Sequence, residues 1–136
     1  MLWEYSFPSI LGDALGFIEK VLSDIKQAIA LKDDDVFALK LSLEEALINA
    51  IKHGNQLDKN KKVRVICRFI EQDKALEIEV ADEGIGYPAG KLPDPTSSEN
   101  IYKLSGRGVY LIKKFMDKVE FLPGGRKLKM VKYLKL

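Results

Sequence analysis

The sequence predicts an α+β domain in which helices cover one side of a mainly antiparallel sheet. Three observations carry that expectation. Two helical patterns lie between Ser9 and Asn55. Two period-two stretches then flank Gln72-Asp73-Lys74. A third helical pattern precedes two closing strands around Pro123-Gly124-Gly125. With 136 residues, 46% hydrophobic and 31% charged, the chain can bury one core without disulfide or zinc support, so a single domain over 1–136 is expected.

Residues 2–7 are aromatic-rich and stop at Pro8, which predicts a short first strand. Ser9 or Asp13 can cap a helix running to about Ala30, with Leu15, Ile18, Leu22, Ile25 and Ile29 at helical spacing. The Asp33-Asp34-Asp35 run offers N-caps and favourable charge to a second helix. Its core face carries Val36, Leu39, Leu43, Ala46, Leu47 and Ala50, and Gly54-Asn55 ends it. Residues 62–71 and 76–82 alternate with period two and read as paired strands. From Glu83 to Ser105 periodicity is lost and Gly84, Gly86, Pro88, Gly90, Pro93 and Pro95 gather. A loop of about twenty residues inside a compact domain is more often a lid than a connector. Residues 106–117 return to helix, and 119–122 and 127–134 finish as strands.

Composition excludes several functions. The lone Cys67 cannot form an internal bridge and alternates with Val65 and Phe69 as a core residue, and no Cys/His cluster has metal-ligand spacing. No stretch approaches the roughly 18 apolar residues of a membrane helix, and the first residues lack a signal-peptide layout. A reducing, cytoplasmic setting without membrane contact is expected. The net charge of +2 is too small to argue for direct nucleic-acid binding. The terminal cluster Arg126, Lys127, Lys129, Lys132 and Lys135 reads as a solvated strand face that discourages edge pairing.

Three segments carry candidate chemistry. On the second helix Ser42, Glu45, Asn49 and His53 fall on one stripe away from the apolar face. Glu45 can accept a proton, and the Asn49 oxygen can ligate a hard cation such as Mg²⁺ without adding charge. A solvated helix face with His53 near the C-terminal dipole would show the same spacing. Asp82 continues the apolar register of Leu76, Ile78 and Val80, so its carboxylate should enter the core side and need donors from the protein or a ligand. An adenine amino group is one suitable donor; alternatively Asp82 merely opens the turn. Gly84 and Gly86 follow it and allow close approach of a flat ligand. After the loop, Ser105-Gly106-Arg107-Gly108 opens a helix whose N-terminal amides suit an anion, with Lys103 and Arg107 adding charge. The same glycines would also serve a tight turn.

The order Glu45-Ala-x-x-Asn49-Ala-x-x-His53-Gly54, Asp82-x-Gly84-x-Gly86, a lid, and Ser105-Gly106-x-Gly108 resembles the superfamily of gyrase and histidine-kinase ATPases, over about residues 34–130. The resemblance implies a Bergerat-type two-layer α/β sandwich. Its sheet would be mixed and mostly antiparallel, with helices on one face and an ATP lid at about 87–105. Within that superfamily the chain is similar to the small anti-sigma-factor serine/threonine kinases, whose lid residues 93–100 and 105–108 also resemble.

The resemblance implies that Asn49 holds Mg²⁺, with His53 alongside, and that Lys52 touches a phosphate. It implies that Asp82 accepts the adenine amino group above Gly84 and Gly86. Lys103, Ser105, Gly106, Arg107, Gly108 and Val109 would wrap the phosphates, and Glu45 would act as general base. The implied partners are a sigma factor or similar regulator, a STAS-type anti-anti-sigma protein, and a second copy of the chain. Two positions depart from the family pattern. Arg126 follows Gly125 where a threonine is frequent, and Leu104 stands where some members carry an arginine. These bear on kinase efficiency, and leave as alternatives a nucleotide-sensing binding module without chemistry or a detached histidine-kinase ATP domain.

Overall fold

The computed structural model describes residues 1–84, 108–122 and 126–136. Among these, β1 (Leu2–Pro8), α1 (Ala14–Ala28) and α2 (Asp33–Ile48) come first, and a π-helical turn (Asn49–Gly54) continues α2. Then follow β2 (Lys62–Ile70), β3 (Ala75–Ala81), α3 (Gly108–Phe115), β4 (Lys118–Phe121) and β5 (Lys127–Tyr133). The strands pair in the order β1-β2-β3-β5-β4, antiparallel at every step. The α+β class is as expected, with a layer of helices against one face of an antiparallel sheet.

Strand alternation sets the two faces of the sheet. One row runs Trp3, Cys67, Ile78, Met130, Val119 across all five strands, and the next runs Tyr5, Val65, Val80, Leu128, Phe121. Both rows turn toward the helices and join the core. Cys67 is wholly buried there, and burial pushes its thiol pKa up to about 12, which suits an inert core residue. The intervening positions face away and carry ion pairs, Arg68 with Glu79 at 3.3 Å and Lys129 with Glu77 at 3.4 Å.

Aromatic stacking fastens the edge strand to the helices. The Phe7 ring lies 4.2 Å from that of Phe17 on α1, and Tyr5 donates a 2.8 Å hydrogen bond to Asp24. The α1 stripe is Ala14, Ile18, Val21, Leu22 and Ile25. Leu15, expected in it, is 54% exposed. Leu15 lies in the first turn of the helix, at the edge of the stripe and about 100° from Ala14. Neither Ser9 nor Asp13 caps α1 through its side chain.

Helix α2 differs from the amphipathic helix expected. It is buried around most of its circumference, at Ala38, Leu39, Ser42, Leu43, Glu45, Ala46 and Leu47, because α1, α3 and β5 all pack on it. Val36 is only half-buried. The acidic run is no side-chain N-cap, since the cap position is Lys32. Instead the buried Asp35 accepts the backbone N–H of Lys135 at 2.7 Å, and Asp34 pairs with the Lys135 ammonium. The run thereby ties the chain's end to the start of α2.

The closing basic residues do not form one solvated edge. β5 lies between β3 and β4, so it is not an edge strand. Lys129, Lys132 and Lys135 pair separately with Glu77, Asp117 and Asp34.

Candidate functional site

The polar stripe of α2 is buried rather than solvated. Glu45 is 9% exposed, Asn49 5% and Ser42 0%. Within the described residues, neither amide atom of Asn49 nor the Ser42 hydroxyl has a hydrogen-bond partner. Burying an amide unpaired costs about 1–3 kcal/mol, and Asn49 leaves both ends of one unpaired. A carboxylate and an unspent carboxamide one helical turn apart form a set of donors and acceptors suited to a polar ligand or a hard cation. Lys52 and His53 are exposed at the end of the same segment. Burial first, and the Lys52 charge second, lower the His53 pKa.

The helix widens into a π turn at Asn49 itself. Asn49 N–H reaches both the Ala46 and Glu45 carbonyls, Asn55 N–H bonds the Ala50 carbonyl at 2.8 Å, and Leu57 N–H that of Ile51 at 2.8 Å. Such turns recur at functional sites. The left-handed residues that end the segment are Gln56 and Leu57, not Gly54. Gly54 is needed for another reason. A Cβ there would overlap the Asp82 carboxylate, and one at Gly84 would overlap the Gly54 carbonyl oxygen. The end of α2 and the turn after β3 therefore touch, backbone to side chain, with no room for a methyl group.

Asp82 leaves β3 in the core-side register and is half-buried. Its Oδ1 accepts the Gly84 N–H at 2.8 Å, and its own N–H donates to the Arg126 carbonyl at 2.9 Å. Burial raises its pKa, against the opposing pull of the Gly84 N–H, the Arg126 charge and the Lys61 charge. Arg126 also donates to the Gly84 carbonyl at 3.4 Å. The departure from the family pattern noted at Arg126 thus lies beside Asp82.

One network here escaped the sequence reading. Asn55, fully buried, donates to the Ser9 hydroxyl at 2.7 Å and the Lys62 carbonyl at 3.0 Å, and accepts the Glu83 N–H at 2.7 Å. Ser9 passes its own proton to the Lys61 carbonyl at 2.7 Å. The Glu83 carboxylate closes the ring on the Lys62 N–H. The only sequence signal was a small polar residue at each end of separate elements.

The structure brings Glu45, Asn49, Gly54, Asp82 and Gly84 to one end of α2 and the sheet. α3 runs alongside α2, and Phe115 at its end meets Phe37 at the start of α2, with ring centroids 5.5 Å apart. The two helices are therefore antiparallel, and the buried Gly108 and Val109 lie toward the Glu45–Asn49 end. Gly86, Lys103, Ser105, Gly106, Arg107 and the lid at 87–105 lie outside the described residues. Among the described residues no cluster of three His, Cys, Asp or Glu could hold a metal by itself. No described helix is long and apolar enough to cross a membrane.

The chain matches the family described as a histidine kinase-like ATPase domain over residues 11–132. It is similar to the serine-protein kinase RsbW of Bacillus subtilis, 33% identical over 127 residues that cover 88% of this chain and 78% of that protein. RsbW of Staphylococcus epidermidis is 32% identical over 130 residues, 89% of this chain and 80% of the relative. The anti-sigma F factor of Oceanobacillus iheyensis is 33% identical over 97 residues, 69% of this chain and 64% of its own length.

Proposed function

The chain belongs to the family of histidine kinase-like ATPase domains, and on that footing we propose that it is a Mg-ATP-dependent serine/threonine protein kinase of the anti-sigma type. It would bind a sigma factor or similar regulator and phosphorylate a STAS-type antagonist. The observation that carries the reading is Asn49, buried one turn beyond Glu45 with neither amide atom partnered among the described residues. The chain's relatives, among them a serine-protein kinase and an anti-sigma F factor, support the same class.

The residues present fit the nucleotide and its metal. Asn49 offers its oxygen to Mg²⁺, which when bound neutralises phosphate charge. Asp82, against which Gly54 and Gly84 leave no room for a Cβ, would accept the adenine amino group, and Gly84 and Gly86 would floor the base pocket. Lys52 would touch a phosphate, with His53 beside it. Lys103, Ser105, Gly106, Arg107, Gly108 and Val109, within and just after the expected lid at about 87–105, would wrap the phosphates. Glu45 takes the proton from a serine or threonine hydroxyl of the partner. That oxygen bonds to the γ-phosphorus as the bridging oxygen–phosphorus bond breaks and ADP leaves. The whole chain, 1–136, acts as one domain in the cytoplasm, paired with a second copy.

Transfer of labelled phosphate from ATP to a cognate STAS protein tests this. Glu45→Ala is expected to lose at least about 100-fold in transfer rate, the lower end of general-base contributions, while still binding ATP. Unchanged transfer would remove Glu45 from the chemistry. Leu104, a departure from the arginine of the family pattern described above, favours a second reading as a nucleotide-sensing module. Partner capture that differs between ATP and ADP with no phosphate transferred would select it.

A further inference from the structure

We infer that Asn55 is a positioning residue for adenine recognition, acting through the peptide between Asp82 and Gly84; the inference rests on the nucleotide site proposed above. Asn55 directly follows Gly54, the residue that touches the Asp82 carboxylate. Its Oδ1 holds the N–H of Glu83, and Glu83 joins Asp82 to Gly84. The same amide's Nδ2 is anchored on the far side by the Ser9 hydroxyl and the Lys62 carbonyl. One side chain therefore sets the distance between the end of α2, which carries Asn49, and the turn that aims Asp82.

The chemistry of the position admits few substitutes. The side chain must donate to two oxygens and accept from one N–H at once, and in this buried spot only a carboxamide does so. Aspartate would keep the bond to Glu83 but set its second oxygen against the Lys62 carbonyl. Alanine would take this partner from the Glu83 N–H and the Lys62 carbonyl at the base of the site, and leave the Ser9 hydroxyl only its bond to the Lys61 carbonyl. Loss of Asn55 frees the Glu83 peptide, and Asp82 with it. The Glu45–Asn49 pair keeps its place in α2.

That difference makes the role separable from plain stability. A loosened Asp82 weakens recognition of the adenine amino group more than it weakens contacts to the triphosphate. Binding of Mg-ATP and of Mg-ITP, which carries an oxygen where adenine has its amino group, is measured on wild type and Asn55→Ala, with folding checked by circular dichroism. The wild type is expected to prefer ATP. In Asn55→Ala that preference is expected to fall about tenfold, the scale of one charge-assisted hydrogen bond. Equal weakening of both nucleotides, with the preference intact, would show a purely structural residue and overturn the inference. If Asn55→Ala does not fold, Ser9→Ala removes only one anchor of the amide. A smaller fall in preference supports the role, and an unchanged one overturns it. A wild type that binds neither nucleotide would instead bring down the site itself, and this inference with it.

Discussion

Gly54 and Asp82 show how closely two residues can define a pocket. Alanine at Gly54 must displace the Asp82 carboxylate, because the new methyl group would occupy the same space. Gly54→Ala is therefore expected to weaken ATP binding about tenfold or more, the loss of one hydrogen bond to a charged group, with isothermal titration calorimetry as the readout. Asp82 also leaves a signature in stability. Its folded pKa lies above the unfolded value, so the folded state is favoured by this group below the unfolded aspartate pKa of about 3.9. That advantage is lost as the pH rises through the folded pKa. Asp82→Asn, which cannot ionise, is expected to melt higher than wild type at pH 7, and the gap should close as the pH falls below about 4. At this scale the sequence was informative where chemistry repeats at short range. Glu45 and Asn49 are four apart on one helix and could be read directly. Asn55 and Ser9 could not, since their bond joins residues 46 apart in the chain.

Helix α2 is the element on which the site depends, and its packing explains both what was foreseen and what was not. Leu39, Leu43, Ala46 and Leu47 were legible as a periodic core face. The burial of Ser42, Glu45 and Asn49 was not, because α1 and α3 cover the flanks that a two-layer picture leaves to solvent. The π turn carried no sequence cue either. Gly54-Asn55 marked the end of the helix, and the left-handed residues that end the segment are Gln56 and Leu57. Leu43 is fully buried in the middle of this helix. Leu43→Ala is expected to lower unfolding free energy by about 2–5 kcal/mol, measured by urea denaturation. A value under about 1 kcal/mol would contradict so enclosed a helix.

The whole molecule is a sheet that holds two loose ends of the chain against the helices. β1 is fastened through Tyr5–Asp24 and the Phe7–Phe17 stack, and the C-terminal residues through Asp35–Lys135. Tyr5→Phe is expected to cost about 1 kcal/mol, the usual worth of a hydrogen bond, and should loosen β1 in hydrogen exchange before the central strands. Strand existence and alternation were readable from the sequence. The order β1-β2-β3-β5-β4 was not, because placing β5 inside the sheet is a long-range choice that local pattern does not encode. That same choice sets Arg126 beside Asp82 and completes the described part of the site. The proposed function requires adenine nucleotide bound between α2 and the turn after β3. Titration of ATP, with and without Mg²⁺, into wild type and Asp82→Asn tests it most directly. Wild type should bind ATP more tightly with Mg²⁺, and Asp82→Asn should lose most of that binding while remaining folded. Absence of binding by wild type, or equal binding by the variant, would contradict it.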